Sequence, residues 1–506
     1  MRRKDLLIGS TLFIIGIITR LPLVERMTSH TDASSYILAL SRYDFSQDTP
    51  APPGYPLYFA LAKFASLFMG DNYSALLSIS VLFSGLGALA FYFTGKSLFN
   101  RAVGVIAALI FLSASTFYFF GLTAYPYIMV AVVTPIIVLC VFQILFQKKQ
   151  IGITFGIIYG ISLGIRPQEL ITTLPLFLVG FYFLQSREKL KSLVSFILTS
   201  LTWFIPLMYV AGGISSYIKY SKISASGALP APSLTVFIDK KFELASGLYL
   251  TLGFGIPILV GFLILMIIKY RNLVKVKNPR RKLIFIAAWV LPSIIFNFFV
   301  RAEHAGYQIG YLSFLIFCLA YAIYKFSNRK KLLMVIFAAF IVLTNLWIFF
   351  DNRDPNYERQ YRQSSFHYTD LRRNDYALGV KVNYIKKHFQ PENTLIVVGY
   401  PFWRQARYYF YDYKMLEIDA LFVSNPLVMD IRRFSINHRY SVQRSKTYSF
   451  KIESGIKYLI LFDDESSQWL ETKYIKKFKG TTAIGVVPVK EGDTIRYGYN
   501  SLHINN

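Results

Sequence analysis

Long apolar segments separated by short charged ones dominate the first 350 residues of the chain. An α-helix needs about 20 apolar residues to cross the hydrocarbon core of a bilayer, and flanking aromatic residues can extend a shorter segment. Segments of this kind run over 6–24, 73–95, 102–120, 124–146, 151–165, 170–184, 192–211, 247–268, 283–300, 306–325 and 331–350. The pattern predicts a polytopic α-helical membrane protein with about eleven transmembrane helices.

Two further stretches, in the loop after the first segment, predict surface helices. Residues 34–43 (SSYILALSRY) have apolar positions on one side of a short helix, which is typical of a helix lying on a bilayer surface. The apolar stretch 55–69 is short for a span and begins at the proline cluster of residues 52–56 (PPGYP), which breaks any preceding helix. We therefore expect both helices to belong to the first outer loop.

Residues 351–506 have a different pattern, in which charges are denser and apolar runs are shorter. Three runs predict buried strands: TLIVVGY at 394–400, KYLILF at 457–462 and TAIGVVPV at 482–489. Residues 374–389 predict a helix that ends before Pro391. The sequence therefore divides into a transmembrane module, 1–350, and a small α/β domain, 351–506, that is large enough to bury its own core.

Composition and charge support the membrane assignment. The 506 residues are 54% hydrophobic, mean hydropathy is +0.41 and the net charge is +27. Because the basic residues form short clusters between apolar segments, they predict membrane orientation rather than nucleic-acid binding. Cys140 and Cys318 both lie inside apolar segments, so the sequence indicates neither a disulfide framework nor a metal site.

The basic clusters also fix the predicted orientation. If 55–69 is not a span, every cluster falls on the side of the N-terminus, as the positive-inside rule requires. The clusters contain Lys96, Arg101, Lys148, Lys149, Arg187, Lys189, Lys191, Lys269, Arg271, Lys275, Lys277, Arg280, Arg281, Lys282, Lys325, Arg329, Lys330 and Lys331. We therefore expect an integral protein of the cytoplasmic membrane with a cytoplasmic N-terminus and an extracytoplasmic C-terminal domain.

This orientation places a set of ionisable residues at one membrane boundary. Its members are Asp32, Arg166, Glu169, Arg301, Glu303 and His304. Charged residues at membrane depth cost about 2.5–3.5 kcal/mol near a helix centre and are usually paired or functional. The alternative for the two arginines is that they snorkel to the lipid headgroups, and the alternative for the Asp32 loop is a solvated turn.

The order of motifs resembles the GT-C superfamily of membrane glycosyltransferases, near the protein O-mannosyltransferases and aminoarabinose transferases. The segments that carry this resemblance are DASSYILALSRYDFSQDTPAPPGYPLY, GIRPQELITTLPL, EHAGYQIGY and RQARYYFYDY. The resemblance implies that Asp32, the acidic residue of the first outer loop, is a catalytic base or orients the acceptor. Many members also carry an acidic residue in the second outer loop, but GLTAYPY here has none. We therefore predict no metal ligands, and the need for a divalent metal stays open.

The implied reaction transfers a sugar from a polyprenyl-phosphate donor to a hydroxyl of a lipid, glycan or protein acceptor. It needs a base at the acceptor, for which Asp32 is suited, and positive charge at the departing phosphate. Arg166, Arg301 and His304 are the candidates for phosphate binding, with arginine favoured for its bidentate geometry. Glu169 is expected to orient Arg166. Tyr36 and Tyr55 are candidates for the sugar pocket, although tyrosines at a membrane boundary are also common interfacial anchors.

Two other functions remain open on the sequence alone. A lipid or polysaccharide transporter or flippase could also use an Arg, Glu and His group within the membrane, but we detect none of the internal repeats that many transporters have. A scaffold protein whose C-terminal domain binds partners is the second alternative. For all three functions we expect membrane lipids as surroundings and no nucleic acid as partner.

Overall fold

Two compact units make up the chain in the computed structural model. It describes residues 3–28, 31–45, 49–228, 234–270, 278–299, 305–351, 366–399, 402–419, 429–435, 438–445, 448–463, 472–479, 482–498 and 501–505. The first unit comprises Met1–Val24 and Ala51–Leu371, and the second comprises Glu25–Pro50 and Arg372–Asn506. The sequence placed the division at 350, whereas the first unit extends to Leu371 and the second also takes in Glu25–Pro50.

Helices account for nearly all of the first unit. In chain order, the helices of both units are α1 (Arg3–Ile18), α2 (Thr31–Ser41), α3 (Pro56–Met69), α4 (Asn72–Leu98), α5 (Arg101–Ser113), α6 (Ser115–Phe120), α7 (Tyr127–Gln147), α8 (Gly152–Ile165), α9 (Glu169–Phe183), α10 (Ser186–Val210), α11 (Ile214–Ala228), α12 (Leu234–Leu252), α13 (Gly255–Tyr270), α14 (Pro279–Phe299), α15 (Ile309–Phe326), α16 (Lys331–Phe350), α17 (Tyr368–His388) and α18 (Trp403–Tyr409). Short 3-10 helices occur at Leu21–Leu23, Ala305–Gln308, Pro391–Asn393 and Thr472–Tyr474.

Seven helices of the described residues are long and apolar enough to cross a membrane. They are Arg3–Leu23, Asn72–Leu98, Tyr127–Gln147, Ser186–Val210, Pro279–Phe299, Gly306–Phe326 and Lys331–Phe350. An eighth span results if Leu244–Leu252 and Gly255–Met266, which are bent by 97° to each other, form one broken span. The prediction of a polytopic helical membrane protein is confirmed, whereas the count of eleven stays a prediction, since α5, α8 and α9 are shorter.

Two predicted spans are interrupted. The segment 247–268 is not one straight helix, because the chain turns at Gly253, whose φ of +50° lies in the left-handed region that favours glycine. The segment 102–120 is divided at Ala114, whose extended backbone separates α5 from α6. Apolar composition alone predicted neither break.

The two helices predicted on the bilayer surface differ in exposure. Helix α3 leaves Phe64, Leu67 and Phe68 exposed, as a surface helix would. In α2, by contrast, Tyr36 and Ile37 are buried in protein, and so are Ala33, Ala39 and Leu40. The helix prediction for α2 is therefore confirmed, whereas its position on the bilayer surface stays a prediction.

A glycine-lined face fixes α8 against α10. Gly152, Gly156 and Gly160 recur at every fourth position, which places them on one side of the helix. A Cβ atom added at Gly156 would lie 2.2 Å from the carbonyl oxygen of Ser192, so only glycine permits this approach of the two backbones. The Trp203 indole also donates to the carbonyl of Gly160 over 3.0 Å. The end of α8, where Arg166 follows, is thus held on a packed helix pair.

The second unit contains two sheets. The strands are β1 (Thr394–Gly399), β2 (Lys414–Asp419), β3 (Met429–Ser435), β4 (His438–Ser445), β5 (Tyr448–Lys451), β6 (Tyr458–Leu461), β7 (Ile475–Lys477), β8 (Ala483–Pro488), β9 (Thr494–Gly498) and β10 (Ser501–Asn505). One sheet has seven strands in the order β4-β3-β2-β1-β6-β8-β7, and the other has three in the order β10-β9-β5. β1 runs parallel to both β2 and β6, and the other pairs are antiparallel.

Both faces of the larger sheet are covered. Ile396 and Val398 of β1 pack on one face with residues of α17 and α18, whereas Val397 packs on the other with Phe450 and Ile495 of the smaller sheet. Alternation along the strand produces this division, and burial on both faces explains the continuous apolar run of β1. The three predicted strands and the helix before Pro391 are therefore confirmed.

Candidate functional site

Arg166 lies between α8 and α9 in the first unit. Its backbone is extended and Pro167 follows it, so the chain turns there and α9 starts at Glu169. The side chain of Arg166 is 2% exposed, and its Nη1 donates to Glu169 Oε1 over 2.7 Å. The other oxygen of Glu169 accepts from Thr172 over 2.7 Å. Arg166 does not snorkel, because its guanidinium is enclosed by protein and paired within it.

Two tyrosine rings flank this guanidinium. Its carbon lies 4.8 Å from the ring centre of Tyr127 and 4.6 Å from that of Tyr307, distances at which a cation is attracted by the ring. Gly306 lets the chain pass close to Tyr127, since a Cβ there would lie 2.6 Å from the ring. The sequence prediction missed both tyrosines, although GLTAYPY and EHAGYQIGY, which contain them, were already singled out.

Several buried polar atoms at Arg166 and Gln168 have no hydrogen-bond partner in the part of the chain that the structure describes. Nε and Nη2 of Arg166 are buried and make no hydrogen bond to the described residues, and neither does Oε1 of Gln168. The amide nitrogen of Gln168 donates to the hydroxyl of Tyr55 over 3.3 Å. Because a buried donor without an acceptor costs about 1–3 kcal/mol, such a set favours a bound anion that would accept from the guanidinium.

Asp32 lies in the first turn of α2 in the second unit. Its side chain is 46% exposed, and Oδ1 accepts from Nη1 of Arg404 on α18 in an ion pair. Oδ2 makes no hydrogen bond to the described part of the chain. The sequence prediction gave Arg404 no role, although RQARYYFYDY was quoted for the resemblance. The sequence of this segment does not indicate which carboxylate forms an ion pair with Arg404.

Helix α18 holds the loop that precedes α2. The Thr28 carbonyl accepts from the side-chain amide of Gln405 over 3.0 Å, and the Thr28 N–H donates to the hydroxyl of Tyr409 over 2.8 Å. Burial raises the pKa of Tyr409 above its usual range, so the hydroxyl stays neutral. The Thr28 hydroxyl also bonds to that of Ser34 in α2. These contacts with α18 therefore fix the backbone that leads into α2 and Asp32.

Asp375 of α17 is a second point of attachment. Its Oδ1 accepts from the backbone N–H groups of Arg26 and Met27 over 2.9 and 2.8 Å, and its Oδ2 pairs with Arg372 over 2.7 Å. The carboxylate is 7% exposed, so it acts in a largely water-excluded position. The buried carboxylate of Asp375 thus binds both the backbone of the loop and Arg372 of α17.

Replacing Asp375 with alanine should lower the free energy of unfolding by about 3 kcal/mol, because two backbone donors lose a charged acceptor. Thermal unfolding of the detergent-purified protein measures the loss. Asp412→Ala, an exposed carboxylate in the same unit, is the control and should change stability by no more than about 0.5 kcal/mol. Equal midpoints for the two variants would contradict this assignment.

The remaining predicted site residues are distributed as follows. Tyr36 and Tyr55 are buried, the first in α2 and the second at the start of α3, where its φ is +69°. Arg301, Glu303 and His304 lie outside the described residues. Asp32 and Arg166 belong to different units, so the structure describes the surroundings of each separately. Within the described ranges, no group of three or more His, Cys, Asp or Glu residues could hold a metal ion.

Comparison with known proteins identifies similar sequences and folds. Residues 32–191 match the family described as Protein O-mannosyl-transferase TMEM260 N-terminal domain. No protein among the curated sequences matches the chain. ArnT from Cupriavidus metallidurans bound to undecaprenyl phosphate has a similar fold, with a TM-score of 0.51 and 11% identity over 81% of this chain and 85% of that chain. The apo state of ArnT gives a TM-score of 0.50 and 13% identity over the same shares.

These similarities confirm the predicted resemblance to GT-C membrane glycosyltransferases. At 11% and 13% identity the likeness to ArnT concerns the fold. The match over 32–191 begins at Asp32 and includes Arg166 and Glu169, but not Arg301, Glu303 or His304.

Proposed function

We propose that this protein is a membrane glycosyltransferase that moves a sugar from a polyprenyl-phosphate donor to a hydroxyl acceptor at the outer membrane face. The observation that carries the proposal is the buried Arg166, whose Nε and Nη2 have no partner among the described residues and whose guanidinium lies between two tyrosine rings. A phosphate diester or monoester supplies the acceptor oxygens that such a guanidinium lacks. The match to an O-mannosyltransferase domain and the fold shared with ArnT, a protein that binds undecaprenyl phosphate, support the same chemistry.

The reaction is a single displacement at the anomeric carbon. The acceptor oxygen forms a bond to that carbon while the bond from carbon to phosphate oxygen breaks, and the electron pair leaves with the lipid phosphate. Attack opposite the leaving group inverts the anomeric centre. Asp32 takes the proton of the acceptor hydroxyl, and Arg166 stabilises the negative charge on the departing phosphate.

Other residues support these two roles. Glu169 holds one nitrogen of Arg166, which leaves Nε and Nη2 for the donor. Gln168, bonded to Tyr55, offers a buried carbonyl oxygen to a sugar hydroxyl, and Tyr36 remains a candidate for sugar contact. Arg301 and His304 remain candidates for further phosphate contacts. The acceptor is a lipid, glycan or protein hydroxyl.

Transfer assays with purified protein test the proposal. Radiolabelled polyprenyl-phosphate sugars are offered with lipid, glycan and peptide hydroxyl acceptors, and we expect label to move to one of them with release of polyprenyl phosphate. NMR of the product should show the inverted anomer. Label that stays on the donor under all these conditions would overturn the proposal.

One observation favours a transporter or flippase instead. The break between Leu244–Leu252 and Gly255–Met266 resembles the discontinuous helices at which transporters bind substrates. Proteoliposomes distinguish the two functions, because a flippase moves the intact lipid-linked sugar between leaflets without breaking its glycosidic bond.

The proposed topology predicts a labelling pattern. Neither the wild-type protein, whose Cys140 and Cys318 lie in apolar helices, nor Lys282→Cys should react with an impermeant maleimide in intact cells. Lys477→Cys, an exposed position of β7, should react. We expect Lys282→Cys to react only after lysis, because it belongs to a basic cluster on the predicted inner face. Reaction of Lys282→Cys but not of Lys477→Cys in intact cells would show that the proposed topology is inverted.

A further inference from the structure

Arg404 has the contacts of a residue that sets the orientation of Asp32. It donates from Nη1 to Oδ1 of the Asp32 carboxylate, whereas Oδ2 carries no hydrogen bond to the described residues. An aspartate whose side chain is 46% exposed would otherwise rotate freely between rotamers. Because Arg404 fixes Oδ1, Oδ2 is held in a defined direction and is left to accept a proton.

The position of Arg404 is itself well determined. Its side chain is 13% exposed and its guanidinium lies 4.9 Å from the ring centre of Trp403. Trp403 is 4% exposed and packs in the core with Ile396 and Val398 of β1. The arginine therefore rests on the central strand of the larger sheet through a buried aromatic residue.

The backbone around Asp32 is fixed by the same helix. Gln405 and Tyr409 of α18 bond to the carbonyl and N–H of Thr28, four residues before Asp32. Helix α18 therefore fixes both the backbone before Asp32 and the orientation of the Asp32 carboxylate. A mere surface ion pair would need neither the buried tryptophan nor the two backbone contacts, and it would contribute little to stability.

We propose that Arg404 is a positioning residue that holds Oδ1 of Asp32 so that Oδ2 accepts the proton of the acceptor hydroxyl. This inference rests on the glycosyl transfer proposed above. The α/β unit then contributes to the reaction through its α18. The benefit of the ion pair lies in the orientation that it gives to the carboxylate.

Arg404→Gln should lower kcat by about 10²-fold, the effect of a displacement of about 1 Å of a catalytic group. The KM for the lipid-linked donor should stay within about twofold, because the phosphate contacts are assigned to Arg166. Arg404→Lys keeps the charge but loses the planar fork, so its kcat should fall between those of Arg404→Gln and wild type. Arg407→Gln is the matched control, because Arg407 also lies on α18 over Trp403, at 4.3 Å.

A double variant separates positioning from a structural role. If Arg404 acts through Asp32, then Asp32→Asn with Arg404→Gln should be no slower than Asp32→Asn alone. Thermal unfolding and donor binding establish that each variant is folded, and Arg404→Lys serves if Arg404→Gln is not.

Two results would overturn the inference while glycosyl transfer stands. One is a kcat for Arg404→Gln equal to that of Arg407→Gln, and the other is a double variant whose loss is the product of the two single losses. Absence of transfer by the wild-type protein would instead overturn the proposed function. The two failures are therefore distinguishable in one set of assays.

Discussion

Replacing Asp32 with asparagine should lower kcat by roughly 10²–10⁴-fold, the usual contribution of a positioned proton acceptor. Asparagine keeps the size of the side chain but cannot take the proton from the acceptor hydroxyl. Binding of the lipid-linked donor should persist, since the phosphate is assigned to Arg166. Turnover and donor binding, measured side by side on detergent-purified protein, give the result.

The fold should survive this substitution. Asp32 is about half exposed, and its ion pair with Arg404 is in part open to solvent, so loss of the charge should change stability by no more than about 1 kcal/mol. Asp44→Asn is the matched control, because Asp44 lies in the same loop and also pairs with an arginine, Arg42, over 3.4 Å. Near-normal turnover by folded Asp32→Asn would remove Asp32 from the mechanism.

Replacing Arg166 with lysine should weaken donor binding by about 10–100-fold, the equivalent of one lost charged hydrogen bond. Lysine can still pair with Glu169, so no buried carboxylate is left uncompensated. It cannot keep that pair and also present the two N–H positions that Nε and Nη2 provide. Titration of purified protein with the polyprenyl-phosphate sugar measures the loss.

Arg20→Lys is the control for the general effect of replacing a buried arginine with the shorter lysine side chain. Arg20 is as buried as Arg166 and lies 3.8 Å from the ring centre of Tyr118, but it donates to Thr19 and to the carbonyl of Leu112 at the end of α5. We expect Arg20→Lys to lose stability without losing donor affinity. Equal donor affinity of Arg166→Lys and wild type would exclude Arg166 from phosphate binding.

Local patterns in the sequence predicted the elements whose causes are local. The continuous apolar run of β1 predicts a strand buried on both faces, and the segment before Pro391 predicts the end of α17. The contact between Arg166 and Glu169 was also foreseeable, because their spacing of three residues brings them onto one turn of chain.

Contacts between distant segments left no comparable signal. Asp32 and Arg404 are 372 positions apart, and nothing in either segment specifies the other. The apolar side of α2 was visible, but periodicity shows which side is apolar and not whether lipid or protein covers it. Tyr127 and Tyr307 likewise had no role in the sequence prediction, whereas their rings flank a buried guanidinium.

The inclusion of Glu25–Pro50 in the second unit has a consequence for biosynthesis. A ribosome makes this segment early, whereas Asp375, Arg404 and Tyr409, which hold it, emerge only after all the membrane helices. The loop with Asp32 must therefore wait, unassembled, while the intervening helices insert. A nascent or prematurely terminated chain would carry the proposed base without its orientation, so enzymatic competence would coincide with completion of translation.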